Sequence, residues 1–459
     1  MRSGISIAGL RYARAMTADR TAQKVLETND VGLVRAIRKW DLVAIALNGI
    51  IGAGIFGLPS RVYALTGTAS ILAVLGCAAV VGLIVICFAE VSSRYNRSGG
   101  PYLYARQAFG SMVGFEVGWM LWLARLTSFA ANCNLLVLYL TFFWPGVGAG
   151  WPRALVITGV VVTLTIINVV GVRRATTVGN ASTIAKVLPL LLLVGVGLFF
   201  VKPQNFHALV NPGYKPFSTA VLLLIYAFTG FETAVIPVGE VKNPRRDLPV
   251  ALLIALGLVT VLYTLIQAVC MGTLPGLAQS TRPLADAASG FMGTAGGSII
   301  TAGAAISILG NLSIIVLAAP RIPFAMAELG QLPRALSEIH LKYKTPHVSI
   351  LVSGVIMLVL SLSGSFMEAL TISTLSRLFS YLATCAALPV LRRKPGAPAA
   401  LFRAPAGLAL SGLAVLLSVW LLSNVSWDEG RNTIIAAALG LILYAALWFW
   451  NRRELPQGA

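Results

Sequence analysis

Twelve long apolar runs dominate the sequence, and their length limits what the chain can fold into more than any other feature. They lie near residues 41–64, 69–93, 111–143, 153–171, 179–201, 217–240, 249–274, 297–320, 347–363, 368–391, 407–424 and 433–450. A helix that crosses a membrane needs about 20 largely apolar residues, and in lipid only helices or closed barrels satisfy their own backbone polar groups. The runs are too long and too continuously apolar for barrel strands. We therefore predict an all-α membrane protein with twelve transmembrane helices.

The balance of apolar and charged residues excludes a water-soluble fold. Hydrophobic residues make up 57% of the chain and charged residues only 11%, whereas a soluble domain carries about 25% charged residues. The net charge of +19 does not indicate nucleic acid, because the charges lie in short segments between apolar runs and form no basic face. We expect this chain to lie in a lipid bilayer and to bind no nucleic acid.

The distribution of positive charge predicts how the spans are oriented. Cytoplasmic loops of membrane proteins are enriched in lysine and arginine. If residues 1–39 form a cytoplasmic tail, most of the 35 lysines and arginines fall in inner segments. The outer loops hold only Arg61, Arg153, Lys202, Lys215, Arg282 and Arg431. An even number of spans then places both termini in the cytoplasm, as expected for a multi-pass protein of the cell membrane.

Two of the predicted spans contain residues that interrupt a membrane helix. The first holds four glycines within nine residues from Gly49, followed by Pro59, and the sixth holds Gly230 and Glu232 ahead of Pro237. Each glycine weakens a helix by about 1 kcal/mol relative to alanine. Unwound backbone at membrane depth is tolerated only where it lines a cavity or is buried in protein. We predict local unwinding in both spans; the alternative is that these glycines serve close helix packing.

The positions of the two breaks predict the kind of site that they form. Spans one and six are equivalent if the first ten spans are two five-helix repeats, and interrupted helices at equivalent places indicate the midplane site of a transporter. The expected divisions are 40–201 and 202–393 for the repeats, and 394–459 for two further helices with a short cytoplasmic tail. A half-helix N-terminus suits a carboxylate, and freed carbonyl oxygens accept hydrogen bonds from an ammonium group. We therefore expect a zwitterion such as an amino acid.

Other classes of function lack the residues that they need. An ATP-driven pump needs a phosphate-binding G-x-x-x-x-G-K-[ST] loop, and a channel needs pore-lining charged rings or filter repeats. An embedded enzyme needs clustered histidines or paired acidic residues, and the five cysteines lie inside apolar runs without metal-ligand spacing. We expect no enzyme activity, no cofactor, no metal and no obligatory protein partner. An ion channel remains the alternative from another class.

Several stretches of the sequence resemble the amino acid–polyamine–organocation transporters. They are Gly49–Pro59, Ser98–Arg106, Gly230–Glu232, Val241–Pro249 and Pro320–Pro333. The resemblance covers most of residues 40–393 and implies a 5+5 inverted-repeat fold followed by two helices. It implies a secondary active transporter that moves amino acids by alternating access. The alternatives within the family are a polyamine or organic-cation transporter and an amino acid exporter.

The resemblance also implies roles for residues at the two breaks. In the family, the backbone of the first interrupted helix holds the substrate's carboxylate, and carbonyl groups of the sixth hold its amino group. The matching residues are Ile51, Gly52, Ala53 and Gly54 for the carboxylate, and Phe228, Thr229 and Phe231 for the amino group. Tyr226 occupies the place of an aromatic gate, the alternative being an ordinary packing aromatic. The small residues Ala53, Thr229 and Ser307 suggest a neutral amino acid.

Lys186 places a positive charge in the fifth predicted span, nearly two turns inside its start. Charges within the membrane are costly and are usually partnered or functional, the alternative being a lysine that extends to the interface. Many relatives carry a lysine here, where sodium-coupled members of the wider fold hold a cation. The resemblance therefore implies sodium-independent transport, by proton symport or by exchange. It also implies that Lys186 contacts first-helix carbonyls together with Ser307 and Asn311 of the eighth span.

Three more charges within the predicted spans need partners: Glu90, Arg125 and Glu232. Glu90 lies nearer a span end and is expected to be structural. Glu232 resembles a glutamate found after the sixth break in relatives, where it carries a proton or braces the break through hydrogen bonds. Arg125 lies in the third span, which lines the cavity in this fold. The alternative for Arg125 and Glu232 is a structural ion pair between Arg125 and a carboxylate.

Overall fold

The chain is helical throughout the part that is described by this computed structural model. The described residues are 37–95, 100–170, 175–206, 211–235 and 241–453. Within these ranges no β-strand forms, and Ile37 and Val241 make an isolated bridge. Most of the predicted tail 1–39 lies outside the described residues, as does Pro237.

The first half of the described chain contains seven α-helices. They are α1 (Lys39–Ile50), α2 (Gly54–Thr66), α3 (Ser70–Ser92), α4 (Gly100–Phe109), α5 (Ser111–Leu140), α6 (Gly150–Val170) and α7 (Ala175–Gly197). The first predicted span is thus two helices, α1 and α2, separated by three residues. The predicted interruption of the first span is confirmed.

The second half contains eight more α-helices. They are α8 (Tyr214–Phe228), α9 (Pro244–Thr273), α10 (Pro283–Ala318), α11 (Arg321–Glu328), α12 (His347–Ser363), α13 (Phe366–Arg393), α14 (Gly407–Ser423) and α15 (Trp427–Arg453). A 3₁₀ helix, Phe231–Val235, follows α8 after a two-residue turn. The sixth predicted span is therefore also interrupted, as the sequence predicted.

The lengths of these helices fit a protein that crosses a membrane several times. Seven helical stretches among the described residues are long and apolar enough to span a bilayer, and four shorter apolar helices accompany them. The prediction of an all-helical, multi-pass protein is supported at this level. The count of twelve spans and the 5+5 repeat stay predictions.

One predicted loop contains a helix. The segment 275–296 lies between the seventh and eighth predicted spans, but α10 begins at Pro283 and runs through most of it. Proline is favoured in the first turn of a helix, and the alanines that follow are strong helix formers. The chain turns at Gly293, whose φ of 65° and ψ of −168° interrupt the helix. The sequence prediction began the eighth span only after this kink.

The central helix of the bundle is α5, and the peripheral helices expose apolar side chains. Most residues of α5 are buried, and it packs against α4, α10, α12 and α13. By contrast, α6 exposes Leu155 and Ile166, and α15 exposes Ile435 and Ile442. Exposed apolar surface on outer helices is what a lipid-facing boundary requires. The polar cavity described next lies beside α5, remote from that boundary.

Candidate functional site

A small buried cavity lies where the two interrupted spans meet. Its volume is about 40 Å³. It is lined by Asn48, Gly49, Ile50, Gly52, Ala53, Gly54, Arg125, Ser128, Tyr226, Thr229, Gly230, Glu232, Thr233, Asn311, Ile314, Ile315 and Arg377. Residues of both breaks therefore share one wall with side chains of the third, eighth and tenth predicted spans. Unwound backbone at membrane depth is found where it lines such a cavity.

The first break exposes the N-terminus of a half-helix to this cavity. Helix α1 ends at Ile50, and α2 begins at Gly54 with Ala53 at its N-cap position. No side chain caps this end, although the first N–H groups of a helix lack partners within the helix. Such an end is suited to a carboxylate, because its N–H groups and the helix dipole both favour negative charge.

The second break is built around a glycine in the left-handed region. Helix α8 ends at Phe228, Thr229 adopts an extended conformation, and Gly230 has a φ of 105°. A side chain would strain the chain at that φ, which glycine adopts freely. The carboxylate of Glu232 accepts a 2.8 Å hydrogen bond from the Gly230 N–H. This bond braces the turn, which was one of the two roles predicted for Glu232.

The two breaks touch through glycine backbones. A Cβ atom on Gly49 would overlap the carbonyl oxygen of Gly230, and one on Gly230 would overlap that of Gly49. A Cβ atom on Gly54 would lie only 2.7 Å from Cα of Ala227. The glycines therefore allow close packing of the two spans and also interrupt the helices. Both alternatives considered in the sequence analysis, unwinding and close packing, apply. The contact fixes both breaks against each other beside the cavity.

A tyrosine that the sequence analysis missed joins the two breaks. The hydroxyl of Tyr263, in α9, lies 3.3 Å from the carbonyl oxygen of Ile50 and 3.2 Å from that of Ala227. It can donate to either, and its ring packs edge-on against Phe228 at 5.3 Å between centroids. A buried tyrosine hydroxyl requires a hydrogen-bond partner. That requirement in an apolar run was the available signal, but it did not indicate which carbonyl groups would meet it.

The buried carboxylate of Glu232 pairs with Arg377, and Arg125 forms no such pair. The Glu232 Oε1 atom lies 2.5 Å from an Arg377 guanidinium nitrogen, and its Oε2 atom accepts a 2.9 Å bond from the Tyr381 hydroxyl. The predicted alternative of a pair between Arg125 and a carboxylate is therefore wrong among the described residues. Arg377 lies on α13. Which arginine reaches Glu232 depends on how the helices pack, and that packing cannot be predicted from the spacing of residues in the sequence.

The ammonium group of Lys186 contacts the first span just before its break. It donates to Asn48 Oδ1 at 2.6 Å and lies 3.2 Å from the Asn48 carbonyl oxygen. Lys186 is 1% exposed, so it does not extend to the interface. Within the described ranges its hydrogen bonds go to Asn48, and it makes none to Ser307 or Asn311. The coupling role of Lys186 stays a prediction.

The other predicted site residues separate into those that reach the cavity and those that do not. Tyr226 reaches it, and its hydroxyl is hydrogen-bonded to that of Ser128 at 3.2 Å. The predicted site residues that line the cavity are Gly52, Ala53, Gly54, Tyr226, Thr229, Glu232 and Asn311. Those that do not line it are Ile51, Phe228, Phe231, Lys186 and Ser307. Phe231 instead packs edge-on against Phe88, and the Ser307 hydroxyl is buried with no partner among the described residues.

The described residues contain no cluster from which a metal site could be built. No three His, Cys, Asp or Glu side chains come together within those ranges. The five cysteines are buried and unpaired. The polar groups of the described lining residues are backbone groups, hydroxyls, side-chain amides, one carboxylate and two guanidinium groups.

Two broken spans around a buried polar cavity in a helical membrane protein define a solute transporter. Comparison with known proteins identifies the family: the amino acid permease model matches residues 37–447, and the chain belongs to that family. The family consists of permeases, which are not enzymes. The resemblance stated from the sequence is therefore confirmed.

Curated relatives are similar in sequence to nearly the whole of this chain. The branched-chain amino acid permease BcaP of Bacillus subtilis (strain 168) is 27% identical over 438 residues, which cover 91% of this chain and 94% of that protein. A methylthioribose transporter of the same organism is 26% identical over 434 residues, with the same two coverages. An uncharacterized transporter of Mycobacterium bovis is 29% identical over 419 residues, 89% of this chain and 91% of that protein.

Proposed function

We propose that this chain is a secondary transporter that carries an amino acid by alternating access through the cavity between its two broken spans. The observation that carries the proposal is the meeting of two complementary breaks at one cavity. The uncapped N-terminus of α2 offers N–H donors, and the extended residue Thr229 after α8 offers a carbonyl oxygen. A solute that presents a carboxylate and an ammonium group matches both.

In this proposal the backbone at Gly52, Ala53 and Gly54 holds the substrate's carboxylate. The backbone at Phe228, Thr229 and Phe231 holds its ammonium group, with Ile51 placing the first break. Tyr226 closes the cavity by meeting Ser128, which lies on the third span. An aromatic side chain suits such a gate because it covers a large area with few rotatable bonds to order.

The transport cycle that we propose rests on two five-helix repeats, 40–201 and 202–393, in a chain of twelve spans. The two breaks lie in the first and sixth spans, at corresponding places of these halves. Rocking of one half against the other around a fixed site is the motion that such repeats allow. Residues 394–459 add two helices, and both termini lie in the cytoplasm.

We propose that transport is independent of sodium, because Lys186 supplies a positive charge of its own. The ammonium group binds Asn48 immediately before the first break. Protonated Lys186 ties the fifth span to the first, and loss of the proton releases them. Either proton symport or exchange follows from this arrangement.

The charges around the cavity favour an amino acid over the alternatives. A polyamine or another organic cation would be repelled by the two guanidinium groups of Arg125 and Arg377. Among the described lining residues, only the carboxylate of Glu232 would attract it. Methylthioribose, the substrate named for one relative, has no carboxylate that could bind to the N-terminus of α2. The branched-chain amino acid named for the other relative is a zwitterion, and it has both a carboxylate and an ammonium group.

The test is uptake into liposomes that contain the purified protein. A panel of labelled amino acids is presented with pH, sodium and internal substrate varied one at a time, and protein-free liposomes are the control. We expect saturable uptake of at least one amino acid without sodium, and protection of the detergent-purified protein against thermal unfolding by the same compound. Methylthioribose and putrescine serve as competitors from the other classes. Absence of amino acid binding in both assays would overturn the proposal.

Stimulation of uptake by internal amino acid without a pH gradient indicates exchange. Stimulation by an inward proton gradient with empty liposomes indicates symport. A requirement for sodium would contradict the proposed role of Lys186 while leaving amino acid transport intact.

A further inference from the structure

Arg125 carries a buried positive charge that makes no hydrogen bond or ion pair within the described residues, although the Glu232 carboxylate is near enough to attract it. It lies near the middle of α5, lines the cavity, and is only 7% exposed. Among the described residues its guanidinium group makes neither a hydrogen bond nor an ion pair, although two other buried or partly buried arginines, Arg377 and Arg392, each pair with a glutamate. Arg125 is therefore an unpartnered donor directed at the cavity.

Among the described lining residues the one carboxylate, Glu232, makes its hydrogen bonds to groups other than Arg125. Glu232 binds Arg377 through Oε1, and its Oε2 atom accepts from both Tyr381 and the Gly230 N–H. The ionised side chains among the described lining residues are Arg125, Arg377 and Glu232, so the described part of the wall carries one net positive charge. Lys186 adds a further positive charge behind Asn48. A net-neutral solute would leave this excess uncompensated.

An arginine in this position is suited to a carboxylate on the solute. Its planar guanidinium group forms paired hydrogen bonds with a carboxylate, which a lysine ammonium group does not reproduce. Charges inside a membrane protein are costly and are usually partnered or functional. The α-carboxylate of an amino acid is already matched by the uncapped N-terminus of α2. The Arg125 guanidinium group is left for a second carboxylate.

We propose that Arg125 binds the side-chain carboxylate of an acidic amino acid, and that the substrate is therefore aspartate or glutamate. This rests on the proposed function, because it assigns the substrate class of the same site. It replaces the neutral substrate that Ala53, Thr229 and Ser307 suggested from the sequence. Those small residues provide space, whereas Arg125 provides the charge that selects what fills it.

Arg125 is placed to sense the closed state of the cavity. Ser128 lies three residues further along α5, so both side chains project from the same face of that helix. Tyr226 closes onto Ser128, less than one turn from Arg125. A side-chain carboxylate held by Arg125 would thus lie next to the proposed gate, where its binding favours closure.

The experiment compares acids with their amides, which have nearly the same shape without the charge. L-aspartate, L-glutamate, L-asparagine and L-glutamine are tested for saturable binding to the purified protein and for uptake into liposomes. We expect at least one acid to bind at least about tenfold more tightly than its amide, the ratio expected for one charged hydrogen-bonded pair. The Arg125→Gln variant should lose the preference for the acid or prefer the amide, and Arg125→Lys should keep part of the preference for the acid.

A matched control removes an equivalent charge away from the cavity. Arg431, on α15, is exposed, and Arg431→Gln should keep the wild-type ratio of acid to amide. Each variant is first checked for a single size-exclusion peak and a cooperative thermal transition. If Arg125→Gln does not fold, the ratio of acid to amide affinity of the wild-type protein still decides whether the substrate is an acidic amino acid. Arg125→Lys then tests the role of Arg125.

Two outcomes overturn this inference without touching the proposed function. One is that asparagine, glutamine or an apolar amino acid is bound while the acids are not. The other is that Arg125→Gln folds and retains the preference for the acid. If no amino acid of either kind is bound or transported, it is the proposed function that fails.

Discussion

Gly49 and Gly230 meet backbone to backbone at the crossing of the two interrupted spans. Neither position has room for a Cβ atom, since that atom would overlap the carbonyl oxygen of the partner glycine. The contact joins the two breaks on either side of one cavity. Interruption and packing are therefore one feature of this fold.

Substitution of either glycine by alanine should damage the site. Gly49→Ala forces the two backbones apart, and overpacking of this kind costs about 1–3 kcal/mol. Gly230→Ala adds the strain of a positive φ. We expect a lower thermal transition temperature and strongly reduced uptake for both. Gly257→Ala, at a position on α9 with open space around it, is the control and should preserve stability and uptake.

Loss of both members of the buried ion pair should cost less than the two single losses added together. Glu232→Gln leaves Arg377 buried without its counter-charge, and breaking a buried pair costs about 3–5 kcal/mol. The double variant Glu232→Gln/Arg377→Gln removes both charges, so it should be less destabilised than the sum of the single variants. Thermal unfolding of the four proteins in detergent measures this coupling. Additive effects would contradict the pairing.

The hydroxyl of Tyr263 should matter more than its ring alone. Tyr263→Phe keeps the packing against Phe228 and removes the contacts with the carbonyl groups of Ile50 and Ala227. A hydrogen bond of this kind contributes about 1 kcal/mol, so we expect a modest loss of stability and a clear loss of uptake. Tyr444→Phe, in α15, is the matched control. Equal uptake by the two variants would show that Tyr263 has no special role.

Removal of the gate should weaken substrate retention in two steps. Tyr226→Phe keeps the ring and loses the hydrogen bond to Ser128, whereas Tyr226→Ala loses both. We expect the dissociation constant to rise a few-fold in the first and at least about tenfold in the second, because each 1.4 kcal/mol is a factor of ten. Equilibrium binding to purified protein measures both. An ordinary packing residue would lower stability without this graded effect on affinity.

Lys186→Met should uncouple transport from protons. It removes the donor to Asn48 and with it the tie between the fifth and first spans. Uptake by the wild-type protein should respond to a pH gradient or to internal substrate, and uptake by the variant should lose that response. Lys186→Arg keeps the charge and is the matched variant. Unchanged coupling in Lys186→Met would exclude the lysine from the mechanism.

Local chemistry in the sequence was sufficient to predict much of the fold. Apolar runs of membrane-spanning length predicted helices, because backbone groups in lipid must be satisfied within the segment. The clustered glycines from Gly49 and the pair Gly230 and Glu232 predicted both breaks for the same local reason. The helix at Pro283 was missed because it lies in a less apolar segment before the kink at Gly293.

The partners of the buried charges were beyond the sequence. Glu232 pairs with Arg377 on α13 rather than with Arg125, and Lys186 binds the Asn48 side chain rather than α10. Each pairing depends on the relative orientation of helices that are far apart in the sequence. No local sequence pattern predicts that orientation. Tyr263 was missed for the same reason.

The sequence by itself determined that this chain is a helical membrane protein with two broken spans, because length, apolarity and glycine content act within each segment. Only the tertiary structure decided that the breaks share one cavity and that Arg125 faces it without an ion pair among the described residues. A charge is neutralised by whichever groups the packing brings within a few ångströms. That distance is set by contacts between helices, and the linear order of residues does not contain it.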